Sequence, residues 1–170
     1  MFNAADLDKA DRVIVRARNA SAHLALLGDK ALLFSRDGTA FIMYGIEGRS
    51  WVALGDPVGP EGEITELAWQ FRGLCDHHAG WPVFYQVRAA HLPLYLDLGL
   101  APLKLGEEAR VPLRSFSLEG GSRRGQRRDH HRAAKEGCTF AVIPAEGIPP
   151  LLPELQAISE AWLAEKQAGA

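Results

Sequence analysis

Between residues 51 and 87 the spacing of the apolar residues changes twice, and this constrains the fold of the 170-residue chain more than any other feature. "WVALG" (51–55) is a short apolar run that ends in the turn "GDPVGP" (55–60). From Glu63 the period lengthens: Ile64, Leu67, Phe71, Leu74 and His78 fall on one helical face, with Ala68 and Cys75 beside them. "PVFYQV" (82–87) then returns to strand. A one-faced helix between strands must bury that face on a sheet, so the chain is α/β (α+β).

The flanking segments extend the pattern. Leu7, Ala10, Ile14 and Ala17 share a helical face over residues 5–19. "HLALLG" (23–28) with "ALLFS" (31–35), "AFIMYG" (40–45) and "WVALG" read as an antiparallel meander punctuated by "DG" and "EG". "HLPLYLDLG" (91–99) reads as a short helix with Pro93 in its first turn and Gly99 at its end. "LKLGEEARVPL" (103–113) reads as a closing strand bent at Gly106. Helix, three strands, helix, strand, helix, strand is the element order of the GNAT acyltransferase fold.

Glycine and serine mark a joint after residue 113. A basic helix, a strand "CTFAVIP" (138–144) and a helix from about Pro149 follow, the last with Leu151, Leu155, Ile158 and Trp162 on one face. The expected organisation is one complete unit, residues 1–113, and the truncated start of a second, residues 114–170. No further strand before Ala170 buries the last face, so either the natural product is expected to continue or the chain is a fragment.

Apolar residues make up 47% and charged residues 24% of the chain, a balance that supports a packed core rather than disorder. The longest apolar runs fall far short of the ~20 residues that a membrane span requires. The polar opening "MFNAADLDKADRV" lacks a secretory pattern, which makes the cytoplasm the expected location. Cys75 and Cys138 form neither a disulfide framework nor a zinc pattern and read as buried thiols. Cys75 and His78 have i, i+3 spacing, yet both lie on the apolar helix face and no third ligand accompanies them, so no metal is expected.

Net charge is −2 but unevenly distributed. Residues 122–137 hold six cations (Arg123, Arg124, Arg127, Arg128, Arg132 and Lys135) against Asp129 and Glu136. At ~100° per residue the cations and His131 cover one half of a helix, a strip suited to phosphate contact. His130 and His131 tune this strip.

The turn after residue 54 stands where GNAT enzymes that use acyl-CoA carry a Q/R-x-x-G-x-G/A loop whose backbone N–H groups hold the pyrophosphate. Here Pro57 and Pro60 remove two donors, and Asp56 adds a negative charge. The turn reads as a rigid connection in which Asp56 bonds the N–H groups of its neighbours.

Taken together, "AHLALLGDKALLFSRDGTAFIMYGIEGRSWVALGDPVGP" (22–60), "FYQV" (84–87), "LKLGEEARVPL" (103–113) and "FSLEGGSRRGQRRDHHRAAKEGCTF" (116–140) resemble the C-terminal domain of the bacterial aminoacyl-phosphatidylglycerol synthases. The resemblance implies a tandem GNAT fold at the cytoplasmic face of the inner membrane, carrying lysine or alanine from aminoacyl-tRNA to phosphatidylglycerol. It implies no cofactor, because the tRNA ester is the activated donor. It also places the substrate-handling residues mostly in the second unit, beyond Ala170, so no catalytic residue is assigned here. The strip would meet phosphates of tRNA or of lipid.

Such a transfer needs a proton acceptor for the hydroxyl, a donor for the carbonyl oxyanion and a site closed to water. No nucleophile motif is present. Glu107 and Glu108, adjacent in a strand, would face opposite sides, one free to enter a cleft and the other to pair with an arginine such as Arg110. Tyr85 and Gln86 lie on the strand that would border the GNAT cleft. Two alternatives remain open: a CoA-dependent N-acyltransferase, and a noncatalytic module that binds tRNA or anionic membrane.

Overall fold

The computed structural model describes residues 4–17 and 19–168. The chain divides into two compact units, Met1–Gly106 and Glu107–Ala170.

In the first unit, helix α1 (Ala4–Ile14) buries Ala10, Val13 and Ile14, and Ala17 packs beside them. Arg18, in the predicted helix 5–19, lies outside the described residues. A 3-10 helix, Ala20–Leu27, follows, with Asn19 accepting from the Ser21 N–H at its start and Gly28 in the left-handed region (φ 70°) at its end. This corrects the reading of residues 23–28 as strand. Ala22 and Ala25 are buried at the three-residue period of such a helix, whereas Leu24, Leu26 and Leu27 face solvent.

Strands β1 (Ala31–Phe34), β2 (Phe41–Glu47) and β3 (Ser50–Leu54) form the expected antiparallel meander, with Leu33 opposite Ile42 and Gly45 opposite Val52. Helix α2 (Glu61–His77) carries the chain across to β4 (Trp81–Tyr85), which pairs parallel with β3 and completes the order β1-β2-β3-β4. Alternation along β2 divides the core. Phe41 and Met43 pack with α1 and the 3-10 helix, and Ile42 packs with Leu67, Phe71 and Cys75 of α2. Phe71 meets Tyr44 and Phe84 edge-on, with centroids 5.2 and 5.4 Å away. Helix α3 (Leu92–Asp97), with Pro93 in its first turn, buries Tyr95, and Leu98 just beyond it is buried with Ala68.

Residues 101–112 are irregular, which corrects the closing strand expected at 103–113. The apolar alternation there finds no ladder among the described residues, and Leu103, Leu105 and Val111 remain exposed. A strand depends on its partner's N–H and C=O groups as much as on its own pattern.

The second unit holds α4 (Arg124–Lys135) and α5 (Leu152–Ala168). The strand expected at 138–144 is likewise irregular, with Phe140 91% exposed. Leu155, Ile158 and Trp162 of α5 are exposed. Cys138 is exposed as well, against the expectation of a buried thiol; Cys75 is buried, and desolvation followed by the nearby Asp76 charge raises its thiol to about 11.

Candidate functional site

Parallel strands β3 and β4 end side by side, and the crevice outside the carboxyl ends of such strands is where open α/β sheets take ligands. The turn after β3 is rigid. Gly55 adopts φ 76° and its N–H donates to the Tyr85 carbonyl at 2.7 Å, while Val58 exchanges two 2.8 Å hydrogen bonds with Phe41. At Gly59 any side chain would collide with Ala40, whose Cβ is 2.4 Å from where a Cβ would stand. Pro60 then starts α2 without a side-chain cap.

Asp56 is only 7% exposed in this turn. Its carboxylate does not bond the neighbouring N–H groups, as the sequence reading had it, but reaches across to the segment after β4. Oδ1 accepts from the Tyr95 hydroxyl at 2.8 Å, and Oδ2 accepts from Arg88 Nε at 2.8 Å and the Arg88 backbone N–H at 3.2 Å. His91 Nδ1 lies 3.0 Å from Oδ1 without the alignment of a hydrogen bond, and its Nε2 lies 3.2 Å from Glu61. Burial pushes the Asp56 carboxyl up, but the hydrogen bonds from Arg88 and Tyr95, with His91 close by, outweigh it and hold the group below its ordinary value. Tyr95 is driven up by burial and then by the Asp56 carboxylate. The negative charge at this turn thus belongs to the protein, and the cation that answers it is Arg88. A ligand phosphate at this position would meet a carboxylate already in possession of the donors.

Five of the six predicted cations fall on α4 and Arg123 stands just before it, and the six divide into two groups. Arg123 and Arg127 turn toward residues 116–120: Arg123 lies 5.2 Å over the Phe116 ring, and Arg127 Nη1 donates to the carbonyls of Leu118 and Gly120. These two hold the loop. Arg124, Arg128, Arg132 and Lys135 are exposed. Arg128 and Arg132 lie 3.8 and 3.6 Å from Asp129, and Arg124 and Lys135 have no ion-pair partner among the described residues. Glu108 pairs with Arg110 at 2.9 Å. Tyr85 is partly exposed on β4, and Gln86 adopts φ 63° just beyond it. His78 caps α2 and stacks on Trp51 at 5.3 Å. The Arg88, His91 and Tyr95 partners of Asp56 were missed by the sequence reading. The conspicuous signal was an aspartate inside a proline-bounded turn.

A meander and a helix crossing to a parallel fourth strand define a GNAT-like unit whose turn after β3 holds a buried, hydrogen-bonded carboxylate. The sequence profile of the family described as phosphatidylglycerol lysyltransferase, C-terminal, matches residues 12–170, and the chain belongs to this family. A phosphatidylglycerol lysyltransferase of Bacillus subtilis (strain 168) is 39% identical over 150 residues, spanning 88% of this chain and 17% of the relative. One from Staphylococcus aureus (strain MRSA252) is 36% identical over 149 residues, with 88% and 18% covered. Among solved structures, the C-terminal domain of a lysylphosphatidylglycerol synthetase from Agrobacterium fabrum superposes with a TM-score of 0.89 at 41% identity, covering 96% of this chain and 52% of that one. L-PGS from Bacillus licheniformis gives 0.82 at 36% identity, with 92% and 50% covered. The chain therefore spans less than a fifth of its curated relatives and about half of the solved domains.

Proposed function

We propose that this chain is part of an enzyme that transfers lysine or alanine from aminoacyl-tRNA to phosphatidylglycerol at the cytoplasmic face of the membrane. Residues 1–113 would form its first GNAT-like unit and residues 114–170 would open the second. The observation that carries this reading is the family match over residues 12–170. The relatives named for lysine transfer to phosphatidylglycerol supply the reaction class.

The chemistry is an exchange of esters. A glycerol hydroxyl oxygen attacks the carbonyl carbon of the aminoacyl ester and the bond to the ribose oxygen breaks. The hydroxyl proton ends on that ribose oxygen. The ester is already activated, so no covalent enzyme intermediate and no cofactor is needed. The Asp56 network supports a donor other than acyl-CoA, because the turn offers a pyrophosphate a carboxylate and two prolines in place of free N–H groups. The exposed cations of α4, Arg124, Arg128, Arg132 and Lys135, are suited to phosphates of the tRNA or of the lipid surface, while Arg123 and Arg127 shape the loop beneath them.

The test is to incubate the full-length protein with radiolabelled aminoacyl-tRNAs and phosphatidylglycerol vesicles and then extract the lipid. Lysine or alanine label in the lipid, abolished when the tRNA is deacylated beforehand, is the expected result. Folded protein that leaves all label on intact tRNA would overturn the proposal.

A further inference from the structure

The first unit contains a second cationic feature that the Asp56 turn and α4 leave unused. An open groove of about 340 Å³ lies between α1 and the turns at residues 38–39 and 59–60, at the lower end of the ~300–1,000 Å³ range of ligand sites. The wall on that side is formed by Lys9 and Arg12 of α1 and by Arg16, two residues beyond the helix end. Lys9 and Arg12 stand one turn apart on the same helix face, and Arg16 continues the row in the turn that follows. Arg12 and Arg16 are exposed and have no carboxylate partner among the described residues. Lys9 is half-buried, its stem crossing Gly38 and its ammonium 4.2 Å over the Phe34 ring. The nearby Asp37 is occupied by Ser35 and Thr39, whose donors lower its carboxyl.

A groove whose wall carries two exposed arginines without carboxylate partners is built for an anion, and its shape separates two kinds. Asp8 and Asp11 are exposed on the same helix and would oppose a flat anionic surface laid over it. Neither aspartate lines the groove, so a strand lying in it would meet the cations alone. A nucleic-acid strand repeats its phosphate charge at regular intervals, so a row of cations can meet more than one of them.

We propose that the Lys9–Arg12–Arg16 groove binds the phosphate backbone of an RNA strand, as a tRNA contact separate from α4. The inference rests on the aminoacyl-tRNA reading for its ligand but not on catalysis. The test measures the affinity of the full-length protein for uncharged tRNA at several salt concentrations, with vesicle flotation alongside. Each lost phosphate contact removes ~0.7–0.9 from the slope of log affinity against log salt, so R12A/R16A should flatten it by about 1.4–1.8. Between 0.2 and 0.05 M salt, wild-type affinity should then climb roughly tenfold further than that of the variant. Lys30→Ala, which removes a cation already held 2.6 Å from Asp29, should leave the slope unchanged. Both variants should melt close to wild type, since Arg12 and Arg16 are exposed and Lys30 is only partly buried.

A wild-type slope retained by R12A/R16A overturns the groove assignment while leaving the transferase reading standing. Loss of vesicle binding with tRNA binding intact also overturns it, in favour of a lipid surface. Failure of the wild type to bind any tRNA overturns both readings.

Discussion

Replacing Asp56 by alanine removes one acceptor shared by two segments that lie more than thirty residues away in sequence. The Tyr95 hydroxyl is buried, and losing its acceptor costs ~1–3 kcal/mol. The Arg88 side chain is 51% exposed and rehydrates, so its share is only ~0–1 kcal/mol. The part-buried Arg88 N–H adds about 1 kcal/mol. Asp56→Ala should therefore cost roughly 2–5 kcal/mol, read as a fall of about 1–2.5 M in the urea midpoint. Tyr95→Phe should cost ~1.5–3 kcal/mol, as loss of a hydrogen bond to a charged group. The double variant should cost less than the sum by ~1–3 kcal/mol, since both changes remove the same bond. The carboxyl is held below its ordinary value, so its contribution is complete above the unfolded value of ~3.9 and is lost as pH falls through the folded one. The difference between wild type and Asp56→Asn should be flat from pH 5 to 8 and shrink below about pH 4. Additive single costs, or Asp56→Ala within ~0.5 kcal/mol of wild type, would refute the reasoning.

The remaining predictions concern other parts of the chain. In the native protein a thiol reagent at pH 8 should label Cys138 at once and Cys75 only on unfolding, because Cys75 is buried with its thiol near 11; two fast thiols would contradict this. Phe71→Ala should destabilise the first unit by ~3–5 kcal/mol in a denaturant titration, since its ring is fully buried between Tyr44 and Phe84. Charge reversal at Arg124 and Arg128 should weaken binding to tRNA or to anionic vesicles, more so at low salt, without altering the melting curve. Unchanged affinity for both ligands would exclude the strip.

The meander and α2 were legible because a sheet and a one-faced helix impose periods of two and 3.6 on the residues they bury, and Ile42 and Phe71 obey them. The 3-10 helix was misread because Leu24, Leu26 and Leu27 imitate a strand, while the informative residues, Ala22 and Ala25, are small and inconspicuous. Residues 103–113 and 138–144 carry strand-like alternation, but a ladder is a property of two segments and one sequence window contains only one of them. The Asp56 site was half legible. Proline and aspartate betrayed an altered phosphate turn, but the donors from Arg88 and Tyr95 arrive only through the parallel pairing of β3 with β4. Lys9, Arg12 and Arg16 carried no signal of a site in the sequence, since only the fold places two turns opposite them.

The central proposal is that the enzyme to which this chain contributes takes its acyl group from tRNA and not from acyl-CoA. The most direct measurement offers the full-length protein both donors at once, lysyl-tRNA and acetyl-CoA carrying different isotopes, with phosphatidylglycerol vesicles and free amines as acceptors. The account predicts the lysine isotope in the lipid and the acetyl isotope in no product. Acetyl transfer to any acceptor, with the lysine isotope left on intact tRNA, would contradict it.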